Sequence, residues 1–595
     1  MPIKEHSKPI DTIDINICGT HLFYMPFLVS KKDKYGNEYL YIRHNHRVDG
    51  EVKLAYQVYL GAAKDLAMRG KLLNLDFQTE TIDFGLIAAL LRIAKKIGLV
   101  EIINKTTGKR NQGLSVGEHF LIAAVNRCVE PTSKTHLMEW LDSTVMRKLY
   151  PDLEVNLDSR AYWTHFQYVT DENVESIENE LMRVIKVVYK IDYTHLSFDP
   201  TNFFTYINPR KPNQELPKHG HSKEGRATLN IINLSLFCTI DGGIPLFHLA
   251  YPGNTVDAIH FKSAIIALKA RLKVLEMSPT SVVLTFDKGN LSPEGFNLID
   301  EMELGYICSD RPSTHKDALS IPLEEFTMHK LPNGKQVGVK EFNAEKYGKE
   351  RRFIAVYNPN EASWNLENLE KKITKKIVEI NKYFSERVTF APGERRRGQA
   401  DKWRKKTEVE AKIKDMIGGE PYKSIITFVI SGPEEIPVAE GGSLSVDLSI
   451  NKTSKAETSL EHGKSFLMTN QVDLPAHEVV WVYRQQYLVE QAFKWLKGNE
   501  FLSVRPMYHH VDSSIRGHIF VCYLGLVLLS LLVREVVQHD IPMSIHDAVK
   551  TLKEIRMTRI TFPGRIDPIE NVNAMDTDAK QLYDLLELGN LFKKT

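Results

Sequence analysis

The chain has 595 residues, 43% of them hydrophobic and 26% charged, which are ordinary globular proportions in a chain too long for a single core. Its 77 Lys+Arg against 75 Asp+Glu leave a formal charge of +2, which excludes a surface that is polycationic throughout but says nothing about local patches. Five scattered cysteines, Cys18, Cys128, Cys238, Cys308 and Cys522, contain no C-x-x-C pair, so neither a zinc ribbon nor a disulfide framework is expected, and a reducing cytoplasm fits.

The first residues, MPIKEHSKPIDTIDINI, carry no apolar leader run. From His21 to Gly61, HLFYMPFLV, EYLYIRH and KLAYQVYL are separated by turn-rich stretches, which predicts an N-terminal β-rich module over 1–75. Its basic Lys31, Lys32, Lys34, Arg43, His44, His46 and Arg47 suit a solvated edge and a DNA-contacting module equally. Three- and four-residue apolar spacing between Thr81 and Tyr189 predicts a helical domain, 76–190, the expected DNA-binding domain. From Tyr193 the pattern changes to β-β-β-α-β-α-β, a mixed α/β sheet over 191–310.

An insertion over 311–464 follows, with RRFIAVYN and KSIITFVISG as strands and NLENLEKKITKKIVEINKYF as a helix. Residues 371–415 hold 15 Lys+Arg against 7 Asp+Glu, including the consecutive Arg395, Arg396 and Arg397 with Trp403 nearby. That stretch suits phosphate neutralisation or a solvated helical face. The α/β domain resumes over 465–540. Its apolar run Ile519–Val533 is 15 residues long, short of the roughly 20 that a membrane span needs, so a buried core helix and no membrane partner are expected. A C-terminal helical tail is predicted over 541–595.

Three carboxylates stand where rigid elements end or present a face: Asp199 after LSF, Asp287 after VVLTF, and Glu490 within YRQQYLVEQAFKWLK. A carboxylate that follows buried strand residues is costly without a partner or a metal. Each taken alone also suits a turn, a cap or a surface position. Read as one helix, Tyr483, Gln486, Glu490 and Lys497 fall on one stripe, beside a packing face of Leu488, Val489, Ala492, Phe493 and Leu496.

Two strands each ending in Asp and a helix reading Tyr483, Gln486, Glu490, Lys497 resemble the DDE transposases of bacterial insertion sequences, of the IS-four-like superfamily and its IS-sixteen-thirty-four-like branch. GHSKEGR (220–226), GIPLFHLAYPGNTVD (243–257) and FDKGNLS (286–292) are similar to the same branch. Gln486 stands where the family carries arginine, which removes a charged fork for phosphate.

The resemblance implies a ribonuclease-H-like catalytic core interrupted by the insertion. It implies catalysis and metal binding by Asp199, Asp287 and Glu490, with two Mg²⁺ ions for which Mn²⁺ can substitute, Asp199 bridging them. Tyr483, Gln486 and Lys497 would contact DNA, joined by Arg395, Arg396 and Arg397. The implied partners are double-stranded DNA, as terminal inverted repeats and as target, and a second copy of the chain on that DNA. The implied setting is the cytoplasm of a bacterium or archaeon, at the nucleoid. A transposase-derived DNA-binding protein that does not cleave, and a nuclease of the same fold without strand transfer, are the competing expectations.

Overall fold

The computed structural model describes residues 26–48, 51–62, 77–108, 113–150, 157–207, 214–394, 402–498, 501–505, 507, 509–539, 541, 543–562 and 568–590. They divide between two compact units, one drawn from Met1–Arg92, His136–Glu154 and Val536–Thr595, the other from Ile93–Thr135 and Val155–Glu535. The segment with helical periodicity is thus shared between the two.

In the first unit, the strands Phe27–Lys32, Glu38–Val48 and Glu51–Ala62 form a three-stranded antiparallel sheet from the three β-rich runs. The Asp33 carboxylate closes its first turn by accepting from the Tyr35 and Asn37 backbone N–H groups. A second sheet pairs Gln78–Asp83 with Arg556–Thr561, and that strand with Ile569–Val572. The C-terminal segment therefore contains two strands besides its helices Ile545–Glu554 and Thr577–Leu585. A six-residue strand whose partner lies some 470 residues away leaves little local signal, and the flanking helical periodicity masks it.

The second unit begins with a helical layer that includes α1 (Val116–Val129) and α2 (Ser159–Phe166). Ser115 and Glu118 form a reciprocal capping box at the start of α1. Its sheet has ten strands: β1 His195–Thr205, β2 Lys218–His219, β3 Asn230–Thr239, β4 Pro245–Pro252, β5 Val283–Phe286, β6 Gly305–Asp310, β7 Thr327–Lys330, β8 Gln336–Lys346, β9 Lys349–Tyr357 and β10 Lys464–Thr469. The order across the sheet is β7-β8-β9-β10-β6-β5-β1-β3-β2, with β4 also paired to β3. β1, β5 and β6 run parallel at its centre, and all the other pairings are antiparallel.

The helices α3 (Asp257–Val274) and α4 (Pro293–Glu301) supply Phe261 and Phe296 to a buried aromatic stack that includes Phe198, Phe237, Phe286 and Tyr306. α5 (Ala476–Arg484) buries Val479 and Val480 in a separate cluster with Ile307, Val339, Ile354 and Leu467. The two clusters give the sheet a covered face on each side, as a largely buried sheet requires. Next come α6 (Tyr487–Lys497) and α7 (Asp512–Val537). By length and composition α7 could cross a membrane, yet its apolar window is wholly buried inside the protein, as expected of a helix that is apolar all round.

The insertion differs from its expected outline. β7, β8 and β9 continue the main sheet through β10, so a separately cored subdomain begins only at the helix Pro359–Phe384. Its core gathers Leu369, Ile373, Ile380, Val409, Ile413 and Ile425. Both ends of this subdomain meet at one point, where the Asn358 N–H donates to the Gly463 carbonyl at 2.8 Å. Gly463 has φ +77°, and a Cβ there would lie 2.6 Å from the Ala362 Cβ, so only glycine fits the junction.

Candidate active site

β1 and β5 are parallel neighbours in the register His195–Val283 to Phe198–Phe286. The residues that follow, Asp199 and Asp287, therefore stand level on strands about 4.8 Å apart. Phe198 and Phe286 both turn into the aromatic stack against α3. By the strand period of two, Asp199 faces the opposite side, along with Thr201 and Phe203. β5 ends at Phe286, so Asp287 stands just past the last residue paired with β1. Ser309, on β6, donates to Asp287 Oδ1 at 2.5 Å and accepts the Lys288 N–H at 2.9 Å, fixing the carboxylate's orientation.

α6 packs on β1 and β3 and brings Glu490 to the same edge. At the Asp241–Gly243 turn, Gly243 (φ +64°) lets the helix pass, since a Cβ there would lie 3.2 Å from the Leu488 Cβ. Glu490 is exposed, whereas Val489, Ala492, Phe493 and Leu496 are buried. The Asp199 carboxyl is pushed up to about 7, first by burial and then by the negative charges of Glu490, Asp287 and Asp257, against the opposing pull of Lys223. Asp287 and Glu490, distant in sequence from Asp199 and from each other, thus both act on the Asp199 carboxyl.

The single stripe expected of Tyr483, Gln486, Glu490 and Lys497 is not formed as one helix. Between α5 and α6 the backbone tightens: the N–H groups of Gln485, Gln486, Leu488 and Val489 donate to carbonyls three residues earlier. The change of pitch lets α5 bury Val479 and Val480 on one part of the sheet while α6 reaches β1 and β3. Gln486 is 7% exposed, packed inside the junction. The Tyr483 hydroxyl reaches Asp287 Oδ1 at 3.5 Å, and burial raises its pKa. Seven residues beyond Glu490, Lys497 Nζ lies 5.8 Å from the centre of the Phe203 ring, on the Asp199 side of β1.

Several residues that the motif reading did not single out complete the surroundings. Lys223, from the GHSKEGR segment, donates to the Pro200 carbonyl at 2.7 Å and to Asp257 Oδ2 at 3.0 Å. Asn202 holds that segment on β1 by donating to the His221 carbonyl and accepting the Lys223 N–H. Arg505 pairs with Glu224 at 2.9 Å, covers the Phe204 ring and donates to the Lys497 carbonyl. Burial, and then the nearby Lys223 and Arg505, lower the Lys497 pKa, although Glu224 and Asp199 oppose them. The flank of Asp199 is therefore basic. The signal for Lys223 and Asp257 was present in the two family-like stretches 220–226 and 243–257, where Lys223 bonds to the Pro200 carbonyl on β1 and to Asp257.

Among the described residues, no three His, Cys, Asp or Glu side chains are already gathered into a formed metal centre. The donor set nonetheless fits hard divalent cations: all three candidate ligands are carboxylates, and the half-buried Asp199 carries an electrostatic penalty that a cation would relieve. Arg395, Arg396 and Arg397 lie outside the described residues. Around them, Lys371, Lys375, Lys402, Lys412 and Lys414 form ion pairs with nearby carboxylates, and Trp403 packs against the subdomain core.

No family model matches the chain, and no curated protein matches it. Among solved structures, the piggyBac transposase synaptic complex with hairpin DNA is 11% identical, over 80% of this chain and 82% of that one, with a TM-score of 0.31. The Mos1 transposase paired-end complex with left transposon end is 14% identical, over 33% of this chain and 60% of that one, with a TM-score of 0.14. A Mos1 mariner paired-end complex with Mn is 13% identical over the same shares, also with a TM-score of 0.14. These neighbours are DNA transposases.

Proposed function

We propose that the chain is a DDE transposase of an IS-four-like, IS-sixteen-thirty-four-like insertion sequence, with a ribonuclease-H-like core. It binds the element's terminal inverted repeats, cleaves there and joins the freed ends to target DNA. The observation that carries this reading is the register of β1 and β5, which sets Asp199 level with Asp287 while the Glu490 charge from α6 acts on the same carboxyl. Chance assembly of a strand-end Asp pair and a helical Glu at one sheet edge, from positions that also match the family signature, is a poor alternative.

Asp199, Asp287 and Glu490 would hold Mg²⁺, or Mn²⁺ in its place. When bound, two such ions supply Lewis-acid activation of the attacking oxygen and stabilisation of the leaving one. The protein's own part is positional. Ser309 fixes Asp287, Lys223 sets a positive charge beside Asp199, and Lys497 with Arg505 offers cations to a backbone phosphate along β1. Tyr483 orients Asp287 through its hydroxyl. The working form is a homodimer bridging two element ends, in the cytoplasm at the nucleoid.

The test is Mg²⁺-dependent cleavage of a DNA fragment carrying the element's own end, by the wild type beside Glu490→Gln, with binding scored in the same samples. Cleavage by the wild type alone, with binding by both, supports the reading. Binding without cleavage by either protein points to a DNA-binding protein that no longer cuts. Cleavage without joined product from pre-cut ends points to a nuclease.

A further inference from the structure

Away from the carboxylates, the second unit contains a cavity of about 460 Å³ between the end of α1, the segment 131–135, α2 and the start of α7. Its walls include Arg127, Lys134, His509 and His518, together with the hydroxyls of Ser133 and Thr135. Arg127 is 4% exposed and Lys134 6%. Charges that deep are ordinarily paired with an opposite charge, because removing them from water is costly.

Elsewhere this protein follows that rule: buried Arg271 donates to Glu178 at 2.7 Å, and Glu178 also contacts His248 at 2.7 Å. Around the cavity the recorded partners are neutral. Arg127 donates to the Ser503 and Thr132 carbonyls at 3.3 and 2.6 Å. Lys134 Nζ donates to His518 Nδ1 at 3.0 Å, and His518 Nε2 donates to the Val504 carbonyl at 2.8 Å. Among the described residues no Asp or Glu lines the cavity, and burial together with the nearby Arg127 charge disfavours the Lys134 cation, pulling its pKa well below the ordinary lysine value. His509 Nδ1 is buried in the wall without a hydrogen-bond partner in the described structure.

We infer that this cavity is a binding site for a phosphate group, free or at a nucleic-acid strand end, with Arg127 and Lys134 as its charged donors and the mutually hydrogen-bonded hydroxyls of Ser133 and Thr135 as a further donor. Two cations match a phosphate monoester, which carries roughly −1.5 to −2 at pH 7. The room exceeds that of the bare ion, so an esterified phosphate fits. Because both cations are recessed, a terminal phosphate can enter, whereas a phosphodiester within a continuous duplex is held outside by the sugars on either side. The inference does not depend on the carboxylate site.

The experiment is thermal melting and calorimetric titration of the full chain with inorganic phosphate, against chloride at equal ionic strength. Short duplexes with 5′-phosphate or 5′-hydroxyl ends are titrated in parallel. Phosphate should raise the melting temperature by several degrees where chloride does not. Lys134→Met should abolish that rise while melting in chloride at or above the wild-type temperature, since it removes a buried charge that has no acidic partner among the described residues. A purely structural lysine would give a lower melting temperature instead. Ser133→Ala, which keeps both cations, should fold normally and bind phosphate several-fold more weakly. Equal responses to phosphate and chloride, or undiminished binding by both variants, would overturn the inference, with "an adventitious ion only" as the conclusion. Tighter binding of the 5′-phosphate duplex assigns a strand end, and equal duplex affinities with retained phosphate binding assign free phosphate.

Discussion

Asp199 and Asp287 each follow one member of a paired phenylalanine register, Phe198 with Phe286, on neighbouring parallel strands. The sheet therefore sets where the two residues emerge, and Ser309 on β6 holds Asp287 just past the end of β5. Asp199→Asn, Asp287→Asn and Glu490→Gln should each reduce Mg²⁺-dependent cleavage by about 10³-fold or more, with end-DNA affinity within a few-fold of wild type. Single-turnover cleavage beside a binding titration checks this. A variant that retains cleavage removes that carboxylate from the chemistry.

The Asp199 carboxyl, pushed up to about 7 by burial and neighbouring carboxylates, makes its ionised form a liability in the metal-free protein. The sign follows from linkage: the penalty is absent below the unfolded value near 4, grows as pH rises and is complete above about 7. In chelator, Asp199→Asn should therefore stabilise the protein at pH 8 by about 1–3 kcal/mol. The gain should be smaller at pH 5. Urea unfolding at the two pH values measures it, and destabilisation at both would show that the carboxylate has a packing role instead.

Lys223 links the Pro200 carbonyl to Asp257 and counters the negative charge around Asp199. Lys223→Met should slow cleavage roughly 10- to 100-fold, and Lys223→Arg should recover part of the loss. Rates equal to wild type in both variants would leave the lysine a tether of the 220–226 segment only.

Arg351 on β9 forks onto both oxygens of Asp300 on α4 at 2.8 Å, and Lys349 adds a third contact. Burial raises the Asp300 pKa, but these cations outweigh it and hold the carboxyl below its ordinary value. The pairing thus stabilises above the unfolded carboxylate range and is lost as pH falls through the lower folded one. Arg351→Met should cost about 2–4 kcal/mol at pH 7, because the partly buried Asp300 loses both arms of the fork and keeps only the exposed Lys349. In denaturant melts that deficit should narrow below about pH 4.

The strands that end in Asp199 and Asp287 were legible because a buried apolar run followed by a carboxylate is a strong local pattern, and the order of elements around them followed from periodicity. The split at Gln485–Gln486 was not legible. Both halves have helical periodicity, and only the separate packing of Val479 and Phe493 forces a change of pitch. Nor could sequence spacing show that β7–β9 continue the main sheet, since their pairing is decided by β10, more than 100 residues later. Lys223 stood in a noted segment, but its charge gains meaning only from Asn202, which folds that segment onto β1.

At the hydrogen bond between Asn358 and Gly463, the polypeptide leaves the sheet from β9 and re-enters it on the antiparallel neighbour β10. To the sheet, everything between these two residues is topologically a hairpin turn, however much protein it contains. Such a docking point lets an entire subdomain be enlarged, trimmed or exchanged during descent without moving any strand that carries Asp199 or Asp287. The chemistry and the appended surface can then diverge at separate rates within one continuous chain.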